Sequence, residues 1–461
     1  MKSFIQRFFI LTLVALLISS CGPTLSDITL SLIEQGKNDE AIARMRRAVV
    51  LEPNEAEYYR LMGIALYNKQ QYEEAAQTFV TTLKMDDEDD QAAYYLGATY
   101  EALKDYNKAI QYYRLYNELT FYGDYKELVE ARIKILYRQQ MQVEAQRALQ
   151  TEQQLDVASI PSNTIAILYF ENKGQKAELN PLQKGLAEMI ITDLSKVKAL
   201  KVVERVRLQK LVEEMNLGET DLVDQRTAPR LGKLLGANRL VKGSFFELQA
   251  DKVNIDAFVT RTITGALDVT TNITGDMKEF LRLEKDLVFK ILDEMKIKIS
   301  QEEREAILEI PTENFFAFLQ YSRGLDLEDR GLYTQAFEAY SQAAQADPNY
   351  NQAKTSAASA KNSEQLVGST SDASQTSSEN GTENQQSSGK SSSSRGSGVL
   401  TGPGAPPPSD PFNRPGGGSV TDRLNNLFGN INNTMNPGSG NQNPQSPTLK
   451  PLSTPPNPPG N

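Results

Sequence analysis

The chain contains 461 residues, which is enough for two or three domains with hydrophobic cores of their own. Its formal net charge of −10 at pH 7 argues against nucleic-acid binding and against attraction to anionic lipid surfaces, because both select basic faces. The sequence has no histidine, so the usual general base near neutral pH and the usual zinc ligand are both excluded.

Residues 1–20 predict an export signal peptide. Basic residues precede the apolar stretch Phe8 to Ile18, which is too short to span a membrane as a mature helix. Small residues then lead to Cys21, the only cysteine of the chain. This pattern resembles the lipobox of bacterial lipoproteins, which implies that Cys21 is acylated and anchors the protein. Gly22 follows the cysteine where a retention-type aspartate would stand, so the resemblance favours the outer membrane. The alternative is an ordinary cleaved signal with a chance cysteine.

The next segment, residues 21–123, is periodic. Small residues recur at a spacing of 34 at two positions: Ala41, Ala75 and Ala109, and Gly63 and Gly97. This period resembles the tetratricopeptide repeat, in which small residues let two antiparallel helices approach closely. We therefore predict an N-terminal α-helical array of repeats, closed by a capping and linker helix over residues 124–159. Thr29 stands where the later repeats have glycine, which predicts looser packing of the first helix pair.

In repeats of this kind the first helix of each pair lines a concave groove. The resemblance therefore places five aromatic and charged side chains in a peptide-binding groove: Glu57, Arg60, Tyr67, Tyr94 and Glu101. Such a mixture of aromatic bodies and charge suits an extended or helical peptide. The alternative is that Tyr67 and Tyr94 only pack between helices.

Residues 160–299 alternate strands and helices, which is typical of a mixed sheet with helices packed on it. The predicted elements are strand Thr164 to Phe170, helix Pro181 to Val197, a strand and helix within Leu200 to Gly218, a helix and strand within Leu231 to Leu248, strands Val253 to Val259 and Leu267 to Ile273, and helix Met277 to Ile297. Gly236 suits the left-handed conformation just past a helix end. Gly243, inside a strand, predicts the close approach of another backbone.

This order of elements resembles the CsgG-type domain of bacterial envelope lipoproteins and, more distantly, the N-terminal domain of TolB. The stretches that carry the resemblance are AILYFEN, GLAEMIITDLS, LKVVERVRLQKLVEEMNLG and LGKLLGANRLVKG. The resemblance implies an envelope assembly module that oligomerises. Pore-forming members of the family insert hairpins from this domain into the membrane. The connections between elements are short here, so we predict that the domain does not span the membrane.

Residues 300–360 predict a helix that begins with a capping box at Ser300 and Glu303, followed by one further helical hairpin of the repeat type. The glycine-to-alanine spacing of this hairpin, from Gly324 to Ala336, equals that of the N-terminal repeats. A single hairpin cannot bury its own apolar face. It must therefore dock on the central domain, on the array or on another subunit.

Residues 361–461 are rich in Ser, Gly, Asn, Gln and Pro, so we predict a disordered tail. One island differs, because apolar residues recur in it at helical spacing: Leu424, Leu427, Phe428 and Ile431. This island is either a docking motif that folds on a partner or an accidental cluster, since Gly429 and several asparagines weaken it as a helix.

Together these features predict an α+β multidomain protein that uses no cofactor. We find no phosphate-binding glycine loop, metal-ligand spacing or nucleophile with a base in the sequence, so we expect a scaffold rather than an enzyme. The expected partners are proteins on the repeats, the membrane through Cys21, and further copies of the chain through the CsgG-like domain, in the periplasm at the outer membrane. Nucleic acid is not expected. The alternative function is a subunit of an outer-membrane secretion pore of the curli-export type.

Overall fold

The structure, a computed structural model, describes residues 23–120, 124–217, 227–248 and 251–367. The chain divides into two compact units, of which the first ends at Ala148 and the second begins at Leu149. Helical repeats, a mixed five-stranded sheet and C-terminal helices follow one another in these residues, so the predicted fold class is confirmed. The predictions for Cys21 and for the island from Leu424 to Ile431 lie outside the described residues.

The described part of the first unit is helical. Its helices are α1 (Leu25–Glu34), α2 (Asn38–Leu51), α3 (Ala56–Asn68), α4 (Tyr72–Met85), α5 (Asp90–Ala102), α6 (Tyr106–Leu119) and α7 (Asp124–Gln150). The helices α1 and α2, α3 and α4, and α5 and α6 form the three predicted pairs, and α7 follows them. The last residues of α7 lie beyond the division between the two units.

Glycine is required at the crossing points of the second and third helix pairs. A Cβ on Gly63 would lie 2.6 Å from the Phe79 ring, and a Cβ on Gly97 would lie 2.8 Å from the Tyr113 ring. Both distances are too short for real carbon contacts, so only glycine admits these rings. In the first pair Thr29 stands at the corresponding position and is fully buried, and its hydroxyl donates to the Leu25 carbonyl at 2.8 Å.

The second unit is built around one sheet. Its strands are β1 (Thr164–Asn172), β2 (Lys201–Val202), β3 (Arg239–Leu248), β4 (Lys252–Arg261) and β5 (Leu267–Asp276). Its helices are α8 (Leu182–Ser195), α9 (Arg205–Glu214), α10 (Thr227–Leu235), α11 (Phe280–Glu294), α12 (Gln301–Leu308), α13 (Phe315–Asp329), α14 (Tyr333–Ala346) and α15 (Asn351–Val367).

The strand order is β2-β1-β3-β4-β5. The strand β1 runs parallel to both of its neighbours, and β3, β4 and β5 form antiparallel pairs. Helix α8 packs on β1, while α11 packs on β4, β5 and α8. Residues Ile165 to Phe170 of β1 are all buried, as expected for the central strands of a sheet covered by helices.

Both glycine predictions for the central domain are confirmed. Gly236 ends α10 with a φ of +65°, a conformation that other residues rarely adopt. A Cβ on Gly243 would overlap the backbone oxygen of Asp256 on β4 and the ring of Phe170 on β1. The missing side chain therefore makes room for a neighbouring strand and, in addition, for an aromatic ring.

The C-terminal helices dock on the central domain, which decides among the three alternatives left open by the sequence. Gly185 of α8 lies directly against Ser322 of α13, and Phe280 of α11 packs against Phe315 and Phe318 at ring-centroid distances of 5.7 and 6.1 Å. The capping box before α12 is present.

One boundary prediction was wrong. Helix α15 continues to Val367, so the first residues of the predicted tail, from Lys361 onward, are helical. Ala360, Ser363 and Leu366 are buried there. The composition of residues 361–367 resembles a disordered segment, but this stretch continues the buried side of α15 that begins with Ala353 and Ala357, and α15 packs on α14.

Candidate peptide-binding face of the repeat array

The helices α1, α3, α5 and α7 contact one another through a continuous set of side chains, which we call the inner face. Its first part is polar. Ser26 donates to Glu57 at 2.8 Å, and Arg60 bridges Glu57 and Asp89 with N–O distances of 3.3 and 3.1 Å. Asp89 caps α5 by accepting from the Ala92 amide at 2.8 Å. Burial raises the pKa of Asp89, and Arg60 opposes this shift. Glu57 and Arg60 thus connect α1, α3 and α5.

The middle of the inner face is aromatic. Four rings, Tyr67 of α3, Tyr95 and Tyr94 of α5, and Tyr125 of α7, form what we call the tyrosine row. The centroid distances along the row are 5.8 Å from Tyr67 to Tyr95, 5.3 Å from Tyr95 to Tyr94 and 5.7 Å from Tyr94 to Tyr125. Tyr94 and Tyr95 are buried, whereas Tyr67 and Tyr125 are half-buried. The tyrosine row therefore has two buried rings in the middle and one accessible ring at each end.

Next to the tyrosine row lies a buried ion pair. Two nitrogens of Arg132 in α7 each donate to a carboxylate oxygen of Glu101 in α5 at 2.6 Å. The hydroxyl of Tyr113 in α6 donates to the same carboxylate at 3.0 Å. Burial disfavours the charged guanidinium, but Tyr113 and Glu101 together raise the pKa of Arg132. This two-bond geometry fixes α7 against α5 and α6.

The five residues predicted for the groove all lie on α3 and α5, and the structure brings them into one face. Their roles differ from the prediction in two cases. Tyr94 is only 3% exposed, so it packs between helices, as the alternative interpretation held, and offers no surface to a peptide. The Glu101 carboxylate accepts hydrogen bonds from Arg132 and Tyr113 and is therefore already occupied within the array. Glu57, Arg60 and Tyr67 remain half-exposed.

Sequence reasoning missed Asp89, Tyr125 and Arg132. Asp89 directly precedes α5, where an aspartate is a common helix cap, so a capping signal was available. Tyr125 and Arg132 lie on α7, which begins 34 residues after α5, just as α5 begins 34 residues after α3. The period therefore extends to α7, but we predicted this segment only as a capping and linker helix and did not assign its side chains to the groove.

The second unit contains a buried charged cluster where α13 meets α8 and α9. Lys184 of α8 lies 2.7 Å from Asp326 and 3.4 Å from Asp329. Arg205 of α9 lies 2.7 Å from Glu188 and forms a further ion pair with Asp329. Burial disfavours the charge of Arg205, but Asp329 and Glu188 raise its pKa above the usual value. This docking cluster joins α13 to α8 and α9 and so holds the C-terminal helices in place.

A second buried cluster joins α8 and α11. The Lys285 ammonium lies 2.5 Å from Asp193 and 3.3 Å from Glu284, and Lys196 lies 2.9 Å from Asp193. Glu284 is fully buried. Burial, followed by the Asp193 charge, raises the pKa of Glu284 to about 8, although Lys285 opposes this shift.

Two further properties concern the described residues only. None of their helices is long and apolar enough to cross a membrane. No group of three or more Cys, Asp or Glu side chains among them is placed to hold a metal ion.

The chain matches known protein families in both units. Residues 137–253 match the family "Curli production assembly/transport component CsgG". Residues 60–119 match the family "Tetratricopeptide repeat", and residues 30–70 match "TPR repeat". The chain therefore combines tetratricopeptide repeats with a CsgG-type domain, and both predicted resemblances are confirmed. No curated protein matches the chain.

Solved structures similar to parts of the chain include the LpoB C-terminal domain from Salmonella enterica, with 13% identity and a TM-score of 0.22, over 30% of this chain and 95% of that chain. The yeast Sti1 TPR2AB-domain:pHSP90-complex has 12% identity and a TM-score of 0.26, over 74% of this chain and 98% of that chain. Yeast Tom70 has 13% identity and a TM-score of 0.24, over 74% of this chain and 67% of that chain.

Proposed function

We propose that this protein is a non-catalytic scaffold of the bacterial cell envelope. A lipid on Cys21 holds it at the periplasmic side of the outer membrane, and its repeat array binds protein partners. The observation that carries the proposal is the presence, in one chain, of a CsgG-type domain and an array with a preformed inner face. Tetratricopeptide repeats typically bind protein partners, and the CsgG-type domain indicates a role in envelope assembly.

The inner face suits a peptide partner because its side chains are already held in place. Arg60 and Glu57 are tied to each other and to neighbouring helices, and Tyr67 contacts Tyr95. Binding therefore costs little further side-chain entropy. Tyr67 and Arg60 are half-exposed, and tyrosine and arginine are among the residues that are enriched at protein interfaces.

The CsgG-type domain is proposed to bring several copies together, so that each assembly presents several arrays. Partners with more than one binding segment would then bind with avidity rather than with the affinity of a single array. Sedimentation of the purified lipoprotein in detergent tests this step, and a monomer at micromolar concentration would contradict it.

Partner capture from an envelope extract tests the role of the inner face. The variants Glu57→Ala and Tyr67→Ala remove accessible side chains of that face. The matched control is Arg46→Ala with Glu74→Ala, because this exposed ion pair of 2.6 Å joins the second helices α2 and α4. We expect partners to be lost from the first pair of variants and kept by the control. The same set of captured proteins from all of them would contradict the proposal.

The alternative is a subunit of an outer-membrane secretion pore of the curli-export type, which the match of residues 137–253 favours. Conductance measurements in planar lipid bilayers separate the two functions. The scaffold function predicts no conductance from the purified lipoprotein, whereas stable single-channel steps would support the pore.

A further inference from the structure

The tyrosine row has the properties of a binding surface for a segment rich in carbonyl groups and poor in N–H groups. Its two accessible rings, Tyr67 and Tyr125, lie on α3 and α7, and the buried rings Tyr95 and Tyr94 pack between them and hold them at a fixed spacing. Burial raises the pKa of Tyr67 to about 12, so its hydroxyl remains protonated at neutral pH. The row therefore offers ring faces for apolar contact and at least one hydroxyl donor.

One segment of this chain has the complementary chemistry. Residues 444–459 read PQSPTLKPLSTPPNPP and contain seven prolines. Proline fixes φ near −65° and favours the polyproline II conformation, which has no internal hydrogen bonds and leaves its carbonyls exposed. Aromatic-lined grooves bind such segments well because little chain entropy remains to be lost.

The tail island from Leu424 to Ile431 fits the tyrosine row less well. An amphipathic helix needs an apolar groove for its leucine and phenylalanine side chains, whereas the row presents hydroxyl groups among its rings. The only charged side chain of the proline-rich segment is Lys450. The Glu57 carboxylate, which is 43% exposed beside its partner Arg60, is the acceptor that the inner face offers to it.

The proline-rich segment is tethered to the chain that carries the row. Residues 368–443 connect it to the end of α15 and are rich in Ser, Gly, Asn and Pro. For a chain of this length and composition, random-coil statistics give a root-mean-square reach of about 50 Å. A tether of this kind raises the effective concentration of the segment toward the order of 1 mM, so even a weak interaction would be occupied most of the time.

We propose that residues 444–459 dock on the tyrosine row of their own chain, and that an external partner must displace them. The proposal rests on the proposed peptide-binding function of the inner face and adds a competitor to it. Binding of partners is then weaker in the free protein than the array alone would allow. A partner that also binds the proline-rich segment would release the row.

Fluorescence polarisation with a fluorescein-labelled peptide of residues 444–459 tests the proposal on the full chain. One variant carries alanine in place of Pro451, Pro455, Pro456 and Pro458, which removes the tethered competitor and leaves the array unchanged. We expect this variant to bind the labelled peptide at least about tenfold more tightly than the wild type. The matched control replaces Ser391, Ser392, Ser393 and Ser394 by alanine and should behave as the wild type.

The binding site is tested in the same four-proline background with Tyr67→Phe. This variant keeps the ring and its packing, so it should fold normally, and we expect severalfold weaker binding of the labelled peptide. Equal binding to the wild type and the four-proline variant would overturn the proposal, and so would no binding to either. A difference that disappears on dilution of the protein would also overturn it, because the segment would then occupy a second copy. These results leave the capture experiment with Glu57→Ala and Tyr67→Ala unaffected.

Discussion

Gly185 of α8 and Ser322 of α13 occupy the point where the C-terminal helices touch the central domain. A Cβ on Gly185 would lie 2.6 Å from the Cβ of Ser322 and still closer to its hydroxyl oxygen. The hydroxyl itself is satisfied, because it donates to the Phe318 carbonyl at 2.8 Å. The two helices can therefore approach this closely only because position 185 has no side chain.

We expect Gly185→Ala to separate α8 from α13 and to lower the free energy of unfolding by about 1–3 kcal/mol, as overpacking of a core does. Urea unfolding of the full chain measures this loss. The variant Ser322→Gly removes the obstructing side chain, at a cost of about 1 kcal/mol for glycine inside a helix. The double variant should then be more stable than the sum of the two losses predicts, whereas additive losses would contradict a direct contact.

Asp329→Asn should destabilise the docking of α13 strongly. It removes the carboxylate that Arg205 and Lys184 share. Glu188 and Asp326 remain as their other partners. Breaking a buried ion pair completely costs about 3–5 kcal/mol, so we expect a loss at or below the lower end of that range.

The control is Glu313→Gln, because the side chains of Glu313 and its partner Arg282 are 77% and 62% exposed. An exposed pair of this kind contributes about 1 kcal/mol or less. Equal losses from the two variants, measured by urea unfolding, would show that the docking cluster is not desolvated.

Because the pKa of Glu284 is raised in the folded chain, we expect the free energy of unfolding to decrease as the pH rises. Its pKa is about 8 in the folded chain and near the ordinary value of 4.5 in the unfolded chain. Below pH 4.5 Glu284 is protonated in both the folded and the unfolded state, so it does not change the free energy of unfolding with pH. Between the two values the unfolded state loses the proton and the folded state keeps it, so the free energy of unfolding falls as the pH rises. Above the higher value both states are ionised and the loss is complete.

Glu284→Gln removes this dependence. Relative to the wild type the variant should gain stability progressively between about pH 4.5 and pH 8 and then level off, as measured by urea unfolding across that range. Asp286→Asn changes an exposed acid on the same helix and serves as the control. Asp193 and Lys285 act on Glu284, Lys196 pairs with Asp193, and all three stay in place in both variants. A stability difference that does not change with pH would contradict the raised pKa.

Cys21→Ser tests the proposed anchor. Without an acylated cysteine the protein should leave the membrane fraction, either as a soluble periplasmic protein or as an uncleaved precursor, because attachment by several acyl chains is effectively permanent. Membrane fractionation followed by immunoblotting measures the distribution. Ser20→Ala keeps a small residue before the cysteine and should fractionate as the wild type. A mature Cys21→Ser protein that stays in the membrane fraction would contradict the anchor.

The repeat array and the order of elements in the central domain could be predicted because they depend on local patterns. The 34-residue spacing of small residues follows from helices that cross at fixed points. The rings of Phe79 and Tyr113 indeed occupy the space beside Gly63 and Gly97 where a side chain would lie. In the same way Gly236 ends α10 with a positive φ, as its position after an apolar helix indicated. Such features depend on residues close in sequence or on a strict period.

Contacts between distant segments had to come from the tertiary structure. The sequence of the C-terminal hairpin showed that it needs a partner, but only the contact of Gly185 with Ser322 identified the central domain as that partner. The sequence likewise placed Tyr94 on a first helix, but its burial depends on contact with Tyr125 of α7, a helix that the sequence predicted only as a cap and linker. Hydrophobic periodicity tells which face of a helix is covered. It does not tell which element covers it, because apolar surfaces attract one another without direction.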